Sequence, residues 1–244
     1  MSQPSIPRRR PSRAIIFDAG NTLVQMDYAA IAGFLAGRGH TVTAGQVRES
    51  EMRARVRLDR DLAPGASTES RTVHGRYLRY VLEHLGIVDG DEVEVVAEWR
   101  RGYNLPVGLW NRADPEAAPA LARVKAAGLV TGVISNSNGS VRSILEDIGL
   151  APSLDFIIDS AVVGVEKPDR RIFELGLRHA DVRAEEAVYV GDLYSVDVLG
   201  ARGAGIEAVL LDPRGLWGPR DCALARGVED AVRLVIGGGL DSPL

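Results

Sequence analysis

Short apolar runs recur along the chain at residues 14–17, 130–134, 156–158, 187–190 and 208–211. They are apolar on both faces rather than alternating, as strands are when helices cover a parallel sheet on both sides. Between the later runs the apolar spacing is helical. Asp114-Pro115 is a start signal, a capping carboxylate followed by proline in the first turn, and the helical spacing of residues 116–127 stops at Gly128. Residues 140–146, 170–179 and 195–202 carry the same period. This alternation predicts a doubly wound α/β domain.

Residues 28–108 break the alternation. Their spacing predicts helices over 31–38, 44–61, 69–85 and 91–103, punctuated by Pro64-Gly65 and Asp89-Gly90. An all-helical insert directly after the first strand lies above the carboxyl ends of the strands, where open α/β sheets bind ligands. The expected organisation is therefore a core of residues 13–27 and 109–236, an insert of residues 28–108, and loose tails at 1–12 and 237–244.

Composition narrows the function classes. The length of 244 residues suits one domain with an insert, and 45% hydrophobic and 25% charged residues allow a full core. A formal net charge of −4 gives no basic face for nucleic acid. No apolar run approaches the ~18 residues of a membrane span. The single cysteine, Cys222, forbids an internal disulfide and suits a reducing cytoplasm. The start carries Arg8-Arg9-Arg10 among prolines and reads as a solvated basic tail, without the features of a secretory signal.

Candidate chemistry sits at the predicted strand ends. Asp18 follows the first run, where its carboxylate can act as a nucleophile or cap the next turn. The hydroxyl of Thr22 can reach Asp18 or a ligand oxygen, or belong to a turn. Ser135 ends the second run; it can donate to a phosphoryl oxygen, and Asn136 opens a polar turn before a helix whose N-terminus favours anions. Of 29 basic residues only Lys125 and Lys167 are lysine, and Lys167 stands before Pro168 in a strand-to-helix turn. There it is either a surface charge or a cation that holds Asp18 ionised. Asp192, after Gly191, and Asp197 are oxygen ligands of the kind Mg²⁺ takes, with helix capping by Asp192 the simpler alternative.

Taken together, Phe17-Asp18 with Thr22, Ile134-Ser135-Asn136, Lys167-Pro168, and Gly191-Asp192 with Asp197 resemble the haloacid dehalogenase (HAD) superfamily over about residues 13–212. The helical insert resembles that superfamily's C1-type cap. The resemblance implies a Rossmann-like core, an aspartyl-phosphate formed on Asp18, and Mg²⁺ held by Asp18, the Gly20 carbonyl and Asp192, with Asp197 in support. It implies that Ser135, Asn136 and Lys167 hold the phosphoryl group of a small phosphorylated substrate, in a cytoplasmic monomer or homodimer. The usual phosphatase pattern has a proton-donating aspartate where this chain has Gly20. General acid–base help is worth about 10² to 10⁴-fold, so alkyl phosphates should react slowly and acyl or aryl phosphates less so. His40, His74 and His84 lie in the insert as possible substitutes. Phosphonate-cleaving relatives need a cap lysine, which this insert lacks. Two alternatives stay open: a 2-haloacid dehalogenase, which needs no metal, and a weakly active or non-catalytic phosphate-binding regulator. The insert's many arginines, among them Arg48, Arg53, Arg55, Arg57, Arg60, Arg71, Arg76 and Arg79, lie near acids and predict a solvated, salt-bridged face; the alternative is that one or two of them read a substrate anion. Trp99 and Trp110 are expected to pack rather than to form a substrate platform.

Overall fold

The computed structural model describes residues 11–63, 65–103 and 108–241. Residues 1–10 and 242–244 of the expected tails, and Pro64, lie outside the described residues. The elements run β1 (Ala14–Phe17), β2 (Val24–Met26), α1 (Tyr28–Gly37), α2 (Ala44–Asp61), α3 (Arg71–His84), α4 (Gly90–Tyr103), β3 (Trp110–Ala113) and α5 (Ala117–Ala126). Then come β4 (Val130–Ser135), α6 (Val141–Asp147), β5 (Phe156–Asp159), α7 (Ser160–Val163), α8 (Arg170–Ala180), β6 (Ala187–Gly191), α9 (Leu199–Gly203), β7 (Glu207–Leu211), β8 (Ala223–Ala225) and α10 (Val228–Ile236).

A six-stranded parallel sheet has the order β5-β4-β1-β6-β7-β8. It is the Rossmann-like α/β core that the apolar runs predict. The two-residue period of each strand sends alternate side chains to opposite faces. Ile15, Phe17, Val188 and Val190 meet α5, α6 and α10 on one side, through Leu121, Leu145 and Val232. Ala14, Ile16, Tyr189 and Leu210 meet α8 and α9 on the other, through Ile172, Phe173 and Ala201. Each fully buried Ile, Leu or Phe contributes about 1.5–3 kcal/mol through area removed from water. Gly132 in β4 is required by packing: a Cβ there would lie 2.0 Å from the Phe156 ring.

The insert's four helices follow the expected spacing and enclose their own apolar cluster, which includes Ile31, Leu35, Val47, Leu82 and Val96. Helix α2 starts at a capping box, in which the Thr43 hydroxyl accepts from the Gln46 N–H and Gln46 Oε1 accepts from the Thr43 N–H. A small antiparallel ribbon, β2 with β3, joins insert to core and was not apparent in the apolar pattern. Hydrogen bonds tie the helices to the carboxyl edge of the sheet. Asp59 accepts from Ser195 N and Oγ at 2.8 and 2.7 Å, and Ser67 donates to Glu166 at 3.0 Å. Among the described residues no helix is long and apolar enough to cross a membrane.

Candidate active site

The site follows from strand register. β1 lies between β4 and β6, with Phe17 opposite both Val133 and Val190. The next residue, Asp18, therefore emerges beside the end of β4, at Ser135, and the end of β6, at Gly191. The Asp18 N–H donates to the Val190 carbonyl at 2.8 Å and fixes the turn. Asp18, Ser135, Lys167, Asp192 and Asp197 all line one cavity of about 220 Å³.

Lys167 is the organising cation. Its Nζ donates to Asp18 Oδ1 at 2.6 Å, Asp197 Oδ1 at 2.7 Å and the Tyr189 hydroxyl at 2.9 Å, which engages all three of its N–H bonds. Tyr189 in turn donates to the Ile134 carbonyl at 2.9 Å. Burial alone would favour the neutral amine, but Asp18 and then Asp197 outweigh it and hold the Lys167 ammonium above its ordinary value. Burial pushes the Asp18 carboxyl up to about 6, against the pull of Lys167 and with a further push from Asp197. Burial likewise raises Asp192 well above the ordinary range.

The other acids divide by role. Asp197 Oδ2 accepts from the backbone N–H groups of Asp192 and Leu193 at 3.0 and 2.9 Å. With Oδ1 on Lys167, Asp197 orders both the loop and the ammonium. Gly191 permits this approach, since a Cβ there would lie 2.4 Å from Asp197 Cγ. Asp192 Oδ2 accepts from Asn21 Nδ2 at 3.0 Å and from Arg55 at 3.1 Å. Oxygen atoms of Asp18, Asp192 and Asp197 lie within 4.8 Å of one another. This set of hard oxygen donors, in a cavity that Gly20 also lines, fits a divalent cation such as Mg²⁺.

Asn136 braces the site. Its amide donates to Thr68 Oγ1 at 2.8 Å and to the Lys167 carbonyl at 3.0 Å, while its Oδ1 accepts from the Lys167 N–H at 2.8 Å. It thus holds the Lys167 turn and ties it to the insert. Ser135 is buried, and its hydroxyl donates only to the Asn136 carbonyl at 3.2 Å. Thr22 departs from expectation. Its hydroxyl is buried without a hydrogen-bond partner among the described residues and does not reach Asp18, because the turn after Ala19 points it to a second cavity.

Several participants were not given a role at the site from sequence. Arg55 crosses from α2 to Asp192 while pairing with Glu51 at 2.9 and 2.6 Å, and Glu51 also accepts from Tyr28 and Tyr77. The signal was available: Glu51 and Arg55 fall on the same helix face as Val47, Ala54 and Leu58, so a charged pair occupies an inward stripe. Asn21 and Trp110 are the others. Trp110 lines the cavity, and its ring would be 3.5 Å from a Cβ on Gly20, whereas Trp99 stacks on Phe34 with ring centroids 4.4 Å apart. Of the insert's histidines, His74 lines the cavity and stands 3.7 Å from Glu69, while His40 pairs with Glu92 at 3.2 Å.

A parallel sheet with a carboxylate at the end of its central strand and helices inserted over that edge defines a class of α/β hydrolytic enzymes. Residues 12–205 match the family model of the haloacid dehalogenase-like hydrolases, and the chain belongs to that family. It is 30% identical over 209 residues to the ribulose-1,5-bisphosphate 5-phosphatase of Halopiger xanaduensis, covering 82% of this chain and 84% of that one. It spans about half the length of several other curated relatives it matches. Among solved structures it resembles a 2-haloacid dehalogenase from Pseudomonas syringae pv. Tomato DC3000, with TM-score 0.57, 26% identity, and coverage of 93% of this chain and 99% of that one. It has the same fold as a HAD phosphatase from Thermococcus onnurineus, with TM-score 0.56, 21% identity, and coverage of 93% and 98%.

Proposed function

We propose that the protein is a Mg²⁺-dependent phosphatase that works through an aspartyl-phosphate on Asp18 and acts on a small phosphorylated metabolite. The observation that carries this reading is the buried bridge from Asp18 through Lys167 to Asp197, set beside Asp192. The phosphatase relative matched over most of its length supports it. A halide displacement at carbon needs one carboxylate nucleophile and no metal, so a metal-holding Asp192 would have no task in it. Phosphoryl transfer needs positioning and charge neutralisation, and this cluster supplies both.

In the first step a lone pair of the Asp18 carboxylate forms a bond to phosphorus while the bond from phosphorus to the leaving oxygen breaks. In the second, water attacks phosphorus, the bond to Asp18 breaks, and the carboxylate is restored with release of inorganic phosphate. Lys167 keeps Asp18 ionised and aligned. Asp197 fixes Lys167, Asn136 fixes the Lys167 turn, and Ser135 offers a hydroxyl to a phosphoryl oxygen. Mg²⁺, held by Asp18, the Gly20 carbonyl and Asp192, would neutralise charge on the transferring group. At Gly20 no side chain is available to protonate the leaving oxygen. Acyl and aryl phosphates, which depart as stable anions, are therefore the faster substrates.

A second reading has its own support, since the 26% identical solved structure is a 2-haloacid dehalogenase. One assay separates the two. Phosphate release from acetyl phosphate and from a sugar phosphate is measured with and without Mg²⁺, with Asp18→Asn as control, and chloride release is measured from 2-chloropropionate. Mg²⁺-dependent release from acetyl phosphate, lost in Asp18→Asn, supports the phosphatase. Chloride release without phosphate release overturns it in favour of the dehalogenase.

A further inference from the structure

Helix α4 buries Val93 and Val96, and Arg100 follows at the spacing that continues the same inward face. A cation thus stands where the period calls for an apolar side chain. It lines the same cavity as Asp18 and Lys167. Buried and half-buried charges are ordinarily paired, and several of the insert's arginines obey that rule, although the half-buried Arg76 donates instead to the Asp61 carbonyl at 3.0 Å. Arg55 is held by Glu51 and Asp192, Arg53 by Glu49, Arg57 by Glu83 and Arg101 by Glu98. Arg100 makes no ion pair among the described residues. Among the described residues its one hydrogen bond is a donation from Nη1 to the His74 carbonyl at 3.1 Å. Glu69, which also lines the cavity, lies 3.7 Å from the His74 ring. Burial pulls the Arg100 guanidinium below its ordinary value, with Tyr77 and Glu69 opposing more weakly. The cavity wall therefore carries a desolvated cation whose remaining donors lack an anion.

We infer that Arg100 receives a second anionic group on the substrate, at the end remote from the transferred phosphoryl. The preferred substrates are then phosphorylated acids or bisphosphates rather than phosphate esters of neutral molecules. This rests on the phosphatase reading above. The guanidinium fork suits both a carboxylate and a phosphate, each through paired N–H donors. Free enzyme holds Arg100 against the His74 carbonyl, and the ligand's anion completes its shell.

The test is binding of three non-hydrolysable probes by calorimetry in Mg²⁺. These are 3-phosphonopropionate, ethane-1,2-diphosphonate and propylphosphonate, which share a phosphonate and differ in the far group. The inference expects the carboxylate or the diphosphonate probe to bind about 10- to 100-fold more tightly than propylphosphonate, the scale of a hydrogen bond to a charged group. Whichever leads names the second group. In Arg100→Gln the preference falls to near unity, and Arg100→Lys, which keeps the charge but not the fork, retains an intermediate preference. Arg100→Met, of similar volume, replaces the glutamine variant if that protein does not fold. Equal affinity of all three probes for wild type overturns the inference, as does a preference that survives in Arg100→Gln. If no probe binds while acetyl phosphate is still hydrolysed, Arg100 is refuted and the phosphatase reading stands. If neither binding nor hydrolysis occurs, both fall.

Discussion

Restoring a proton donor at Gly20 should convert a slow alkyl phosphatase into a faster one. The site accommodates the change. A Cβ on Gly20 would meet the Trp110 ring at 3.5 and 3.7 Å, ordinary contact distances, and the backbone there is outside the left-handed region. Gly20→Asp should therefore fold with little strain. The Trp110 ring beside it is an apolar neighbour, which disfavours ionisation and keeps an acid protonated closer to neutrality. A positioned acid is worth about 10² to 10⁴-fold, or about 3–5 kcal/mol of barrier at 1.36 kcal/mol per decade. The assay compares kcat on glycerol 2-phosphate and on acetyl phosphate for both proteins. The expected result is a rise of that size on the alkyl ester, with little change on acetyl phosphate, whose leaving group needs no proton. An equal change on both substrates, or none on the ester, would refute the argument that the missing acid limits the rate. Wild-type turnover of the ester as fast as that of acetyl phosphate would also refute it and would direct attention to His74, which lines the cavity.

Other perturbations give independent checks. Lys167→Met leaves Asp18 and Asp197 buried without their shared cation, and breaking a buried pair this way costs about 3–5 kcal/mol in urea unfolding at neutral pH without metal. Asp18 already has a folded value of about 6, above the 3.8 of an unperturbed carboxyl, so the folded state takes up its proton more readily than the unfolded. Loss of Lys167 enlarges that difference, and metal-free Lys167→Met should regain stability as pH falls from 7 toward 4, more steeply than wild type; a flat profile would contradict the bridge. Gly132→Ala places a methyl 2.0 Å from the Phe156 ring and should destabilise by about 1–3 kcal/mol in urea, with wild-type stability as the contrary result. Cys222 is 3% exposed, and burial pushes its thiol up to about 11, so a disulfide reagent at pH 8 should leave it unmodified until denaturant is added.

Much of this arrangement was legible because it lies at strand ends. β1, β4 and β6 are buried on both faces, so their runs are apolar apart from Thr131 in β4 and the Tyr189 hydroxyl in β6, and the polar residue that closes each run marks the carboxyl edge. That places Asp18 and Asp192 directly and Ser135 at the close of β4. The α2 bounds were equally plain, since Thr43 and Gln46 form a local capping box. The β2–β3 ribbon was not, because strands this short with Gln25, Asn111 and Arg112 among their residues carry no apolar signal. β8 is likewise three residues long and half exposed. Side-chain direction within the Asp18 loop was also hidden: Thr22 turns away, while Asn21, with positive φ, reaches Asp192. Contacts between insert and core, such as Arg55 with Asp192, span 137 residues and depend on how two bodies dock rather than on any local period.

The central claim is that Asp18 carries phosphate during turnover. The most direct measurement is peptide mass spectrometry of protein quenched in acid during turnover of acetyl phosphate with Mg²⁺. The account predicts a phosphoryl group on the peptide containing Asp18, absent without Mg²⁺ and absent from Asp18→Asn. Mg²⁺-dependent phosphate release with Asp18 unmodified during the reaction, or with undiminished rate in Asp18→Asn, would contradict it.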